Sequence, residues 1–113
     1  MIYSAADARS IATGKRAVFD EISRIEPLVM DAIEAGSLEV TVGPSSVAPV
    51  LIGFTNSTIH FNAYVYPAQY NDNEHKKARE QMNAVIKHFQ LKNYQVRVSQ
   101  ESNTTTFNWI IKW

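Results

Sequence analysis

The hydrophobic positions of this chain change period along its length. Between residues 4 and 35, apolar side chains recur at Ile11, Val18, Ile22, Ile25, Val29 and Ala32, three, four or seven residues apart. That spacing predicts an amphipathic helix. Phe19, Leu28 and Ile33 widen the stripe, Ser4 followed by Asp7 supplies a capping pattern, and Gly36 supplies the stop. Pro27 lacks a backbone donor and crowds the preceding turn, so a kink or break is expected near Glu26. An unbroken helix would outrun a domain of this size. Its first turns would then project as an arm, with Ile11 and Val18 in need of cover.

The period shortens to two at Leu38-Glu39-Val40-Thr41-Val42, which predicts a half-buried strand ended by Gly43-Pro44. Val47 to Ile52 is apolar and β-prone, but Pro49 confines it to an edge or a loop. Thr58 to Tyr66 is rich in β-branched and aromatic residues and reads as a strand closed by Pro67. From about Asp72 to Leu91 the helical period returns, with Ala78, Met82, Val85, Ile86 and Phe89 on one face. Asp72, Lys76 and Glu80 lie on the outside, and Asn93 follows as the stop. Tyr94, Val96 and Val98 then alternate with polar residues, as do Phe107, Trp109, Ile111 and Trp113. This predicts a C-terminal β-hairpin with one aromatic face. The expected fold is a single α+β domain over residues 1–113. A long N-terminal helix and a second helix pack on one face of a small, mostly antiparallel sheet that ends in the hairpin.

Composition narrows the function classes. A chain of 113 residues, 45 % hydrophobic and 19 % charged, suits one folded core. It holds no cysteine, which excludes disulfides, zinc–thiolate sites and a cysteine nucleophile. Eleven basic and eleven acidic residues cancel, so the basic excess of a general nucleic-acid binder is missing. The charges are unevenly placed: residues 1–42 carry 4 basic and 7 acidic, residues 72–113 carry 7 basic and 4 acidic, and residues 43–71 carry none. The charge-free, β-prone segment 43–71 holds Phe54, Phe61, Tyr64, Tyr66 and Tyr70. Such a segment suits edge pairing or a buried interface. Partner contact is therefore expected at Phe54, Phe61, Tyr64 and Tyr66, with Ile11 and Val18 from the first helix.

Candidate chemistry is sparse. His60, His75 and His88 stand in no metal-ligand spacing. No serine lies in a G-x-S-x-G elbow, and Gly43-Pro44-Ser45-Ser46 lacks the lysine of a phosphate loop. Asp20 and Glu21 are adjacent on a helix surface, so their carboxylates should diverge. Asn56-Ser57-Thr58 and Asn103-Thr104-Thr105 match glycosylation acceptors but read as turn residues. No catalytic, cofactor-binding or metal-binding residue is assigned, and the expectation is a non-enzyme without a cofactor. No secretory signal is apparent, and the longest apolar run, Val47 to Phe54, is too short to span a bilayer. Basic residues Lys76, Lys77, Arg79, Lys87, Lys92, Arg97 and Lys112 share the last third with Tyr94, Phe107, Trp109 and Trp113. That mixture defines an alternative, a small regulatory module binding single-stranded nucleic acid, or a host protein through the apolar stretch. The aromatic positions share one strand face, which favours a core.

Several stretches carry a family likeness. Val18-Phe19-Asp20-Glu21-Ile22, with Ala32-Ile33-Glu34-Ala35-Gly36, leads into Leu38-Glu39-Val40-Thr41-Val42. Thr55-Asn56-Ser57 precedes an aromatic stretch. Gln81-Met82-Asn83-Ala84-Val85-Ile86-Lys87-His88-Phe89, Tyr94-Gln95-Val96-Arg97 and Thr106-Phe107-Asn108-Trp109-Ile110-Ile111-Lys112-Trp113 follow. With these the chain resembles small virion structural proteins of tailed phages, especially those infecting cyanobacteria. The resemblance implies a virion component made in the bacterial cytoplasm, without catalysis, partnered by copies of itself and other virion proteins. A neck, tail or fibre-attachment position is expected before capsid decoration. Pro27 departs from the uninterrupted first helix that the resemblance implies.

Overall fold

The computed structural model describes Ala5 and residues 16–44, 53–101 and 104–113. Helix α1 spans Arg16–Glu34 and runs through Pro27 as one helix, without the expected break. The reason lies in which side is anchored. Ile25 and Val29 are fully or nearly fully buried, while Pro27 faces solvent, where water can satisfy the carbonyl that lost its donor. Gly36 ends the helix at φ +84°, with Gly36 N–H donating to Ile33 O and Ser37 N–H to Ala32 O. This double bond pattern is the Schellman stop expected of a glycine at that position. The Ser4 cap, Ile11, the projecting first turns and the Val47–Ile52 segment lie outside the described residues.

Strand β1 (Glu39–Val42) follows, then a 3₁₀ turn at Gly53–Asn56. The expected strand at 58–66 is instead helix α2, Thr58–Val65. Its apolar residues at Ile59, Phe61, Ala63 and Val65 satisfy the strand period, and Phe61 with Val65 also satisfies the helical one. Local capping settles the matter: Ser57 is extended, and its hydroxyl accepts the His60 N–H at 3.3 Å. Across the connection to the next helix, Arg79 donates to Ala63 O, one of the last carbonyls of α2, and to Tyr70 O beyond it.

Helix α3 (Asn73–Gln90) buries Ala78, Met82, Val85 and Phe89. It ends as α1 does. Asn93 takes φ +68°, Asn93 N–H meets Gln90 O and Tyr94 N–H meets Phe89 O. The Tyr94 ring stands edge-on to Phe89, the apolar contact that accompanies this stop. Strands β2 (Gln95–Gln100) and β3 (Phe107–Lys112) form the hairpin.

The sheet order is β1-β3-β2, antiparallel throughout. Register places Val40 and Val96 on either side of Ile111, and Val42 and Val98 on either side of Trp109. That face meets α1 and α3, and Phe107, Trp109 and Ile111 are fully buried there. The other face carries Glu39, Thr41, Gln95, Arg97, Ser99, Ile110 and Lys112. The result is the predicted two-layer α+β arrangement, with no helix of the described residues on the sheet's polar face.

Candidate functional site

The most constrained polar group is Glu21. It is 1 % exposed, contrary to its expected place beside Asp20 on the helix surface. One carboxylate oxygen accepts from Trp109 Nε1–H at 2.9 Å and the other from Phe54 N–H at 3.3 Å. Burial pushes its pKa above the ordinary 4.5, against the lowering effects of both hydrogen bonds and of Arg24. Gly53, at φ +42°, admits this arrangement: a Cβ there would lie 2.2 Å from Glu21 Oε1. Glu21 thus ties α1, the 3₁₀ turn and the central strand together. Its position four residues before Ile25 and three after Val18 was the sequence signal for burial.

A second junction surrounds His60. Its ring stacks on Phe54 at 4.1 Å, its Nδ1 meets Ser57 Oγ at 2.7 Å, and its Nε2 meets Gln81 Oε1 at 2.8 Å. With Nε2–H donating to Gln81, Nδ1 accepts the Ser57 hydroxyl proton. Burial holds the His60 pKa below its ordinary 6.5, opposed by the Gln81 bond. The same Ser57 oxygen caps α2, so the hydroxyl has a structural task in this network. Among the described residues, no three His, Asp or Glu side chains converge as a metal site requires. Among them, too, no helix is long and apolar enough to cross a membrane.

The residues expected to meet partners separate. Phe54 and Phe61 are each 5 % exposed and belong to the chain's own core, which corrects their expected interface role. The reason is the helical course of 53–65, which turns both rings inward. Tyr64 and Tyr66 are exposed. Val18 is half-buried and lines a groove of about 700 Å³ between α1 and α3, with Ile22, Glu26, Ala84, His88 and Leu91. Glu26 lies 3.6 Å from His88 Nε2 and 3.9 Å from Lys92 Nζ across that groove.

The nucleic-acid alternative loses its aromatic platform. Phe107 and Trp109 are fully buried, and Tyr94 and Trp113 are half-buried in edge-to-face contact with each other. Arg79 is engaged with the α2–α3 connection. Lys76, Lys77 and Lys87 are exposed on α3, Lys92 follows that helix, and Arg97 and Lys112 are exposed on the polar face of the sheet.

A feature missed from sequence lies at one end of the domain. There α1 finishes, β1 and β2 begin, and β3 ends, with Trp113 N–H donating to Leu38 O. Met30, Ile33, Leu38 and Leu91 are exposed at this end, Leu38 and Leu91 by 70 % and 74 %. Leu38 carried an apolar signal, but its exposure depended on its preceding the β1 ladder by one residue. Comparison with protein-family models, with curated proteins and with solved structures finds no match.

Proposed function

We propose that this chain is a non-enzymatic structural subunit of a tailed-phage virion. It works by self-assembly and by docking onto other virion proteins, at the neck, tail or fibre attachment before the capsid surface. The observation that carries this reading is the exposed apolar end formed by Met30, Ile33, Leu38 and Leu91. Scattered apolar residues are ordinary on a protein surface, but several large ones gathered at one end mark an interaction site. Zero net charge supports the reading, since identical copies repel one another little. The resemblance noted above supplies the virion setting, and the two networks at Glu21 and His60 serve the fold.

The test is molar mass by light scattering over a wide concentration range, for the native chain and for Leu38→Asp. A discrete oligomer, or concentration-dependent growth, that Leu38→Asp reduces supports self-assembly through this end. A 12.8 kDa monomer at every concentration refutes self-assembly. Leu38→Asp should leave unfolding within about 0.5 kcal/mol of the native chain, because the residue is exposed.

A further inference from the structure

We infer that β2 is a self-pairing edge: two copies join β2 to β2, antiparallel, into one six-stranded sheet. The inference deepens the self-assembly reading and rests on it. Strand β2 lies at the margin of the order β1-β3-β2, with no strand beside it among the described residues. It runs for six residues with no proline, no glycine and a single charge, Arg97. Long uncharged edges are the ones that proteins otherwise blunt.

Ladder geometry identifies which groups are free to pair. Glu101 N–H donates to Thr106 O at 3.1 Å, one step beyond the Gln100↔Phe107 register pair. Hydrogen-bonded and non-hydrogen-bonded pairs alternate along an antiparallel ladder. Ser99, Arg97 and Gln95 therefore bond inward to β3. The N–H and C=O groups of Val96, Val98 and Gln100 point to the open edge. Val96 and Val98 are half-buried on the core face, whereas their β3 neighbours Ile111 and Trp109 are fully buried. The core stops part-way across these two valines, as it does at a seam.

Any two-fold axis that passes through a β2 residue keeps the core faces aligned, but only an axis at Val98 pairs all three outward residues, Val96, Val98 and Gln100, with one another. An axis at Arg97 sets the two guanidinium groups opposite each other. An axis at Val98 sets Val98 against Val98 and Val96 against Gln100 of the second copy, and each such pair exchanges both backbone hydrogen bonds. In that register Arg97 faces Ser99 of the second copy, with no like charges opposed. The Val98 register satisfies the free groups and extends the apolar seam, so it is the one assigned. Strand β1 does not compete, having four residues and ending at the buried Gly43.

Position 99 provides the test, because it lies on the polar face, opposite Asn108 within the chain and opposite Arg97 of the second copy in the assigned register. Ser99→Asp places two carboxylates opposite two Arg97 side chains and should tighten dimerisation about tenfold at low salt. Ser99→Lys should weaken it by a similar factor, about tenfold. Dissociation constants come from analytical ultracentrifugation, with amide hydrogen exchange measured on the native chain above and below its association range. Slowed exchange at Val96, Val98 and Gln100 on association, with opposite shifts in the two variants, upholds the pairing. Association that Leu38→Asp reduces, with unchanged exchange at those amides, overturns β2 pairing and leaves self-assembly through the apolar end standing. A monomer at every concentration overturns both. If a variant unfolds, the exchange measurement on the native chain decides alone.

Discussion

Glu21 offers the sharpest test of how this fold is held. Glu21→Ala removes the acceptor from two buried donors, Trp109 Nε1–H and Phe54 N–H. An unsatisfied buried donor costs about 1–3 kcal/mol. Two such donors and the space left by the side chain set the expected loss at about 4 kcal/mol. That is a large part of the roughly 5–15 kcal/mol by which such domains are stable. With a urea slope of about 1.5 kcal/mol/M, the unfolding midpoint should fall by roughly 2–3 M. Glu21→Gln keeps the shape and one acceptor but turns an NH₂ group toward one of the two donors, a loss of about 2 kcal/mol.

The pH dependence carries an independent sign. The folded state raises the Glu21 pKa, so between the unfolded value of 4.5 and the higher folded value the native chain binds more protons than the unfolded one. Stability from this group is full below 4.5 and is lost as pH rises through the folded pKa. The stability difference, native minus Glu21→Gln, should therefore shrink across that window. The assay is urea unfolding followed by tryptophan fluorescence at a series of pH values. A loss under about 1 kcal/mol for Glu21→Ala, or parallel pH profiles for the native chain and Glu21→Gln, would refute the buried-acceptor reasoning.

Three further outcomes are expected. Gly43→Ala sets a Cβ 2.6 Å from Asn108 Oδ1 and 2.8 Å from Phe107 O, at φ +145°, and should cost about 3 kcal/mol in a thermal melt; an unchanged melting temperature contradicts that packing. Because burial lowers the His60 pKa, its stabilising share is present above the unfolded value of 6.5 and is lost as pH falls through the folded one. His60→Gln should flatten the acid side of the stability profile, and an unaltered acid limb would place the imidazole in water. Ser57→Ala removes the α2 cap and a partner of His60 Nδ1, and should lower stability by about 1 kcal/mol in urea unfolding.

Much of the architecture was legible because it is written in local periods. The hairpin positions Phe107, Trp109 and Ile111, the α3 face at Ala78, Met82, Val85 and Phe89, and the stops at Gly36 and Asn93 all stand where periodicity and turn chemistry put them. The 58–66 segment misled because alternating apolar residues fit both periods, and the deciding hydrogen bond runs from the His60 backbone to a serine hydroxyl. The reading of Phe54 and Phe61 as interface failed with it: an uncharged aromatic stretch looks the same whether it is covered by its own chain or by another. Pro27 broke nothing because the residues on its inner side were already held.

For this protein, local sequence determined the two-layer α+β class, the helices α1 and α3 with their stops, and the aromatic face of the hairpin. Each of these depends on contacts within a few residues, where propensity and period act directly. The spacing from Val18 and Ile25 puts Glu21 on the apolar stripe, but tertiary structure decided that it is a buried acceptor, since its partner Trp109 lies 88 residues away. It also decided that Leu38 and Leu91 are both left exposed at one end of the domain, and that Val96, Val98 and Gln100 keep their backbone groups turned outward. Those outcomes depend on which elements become neighbours and in which register, and a one-residue change in register would have reversed them.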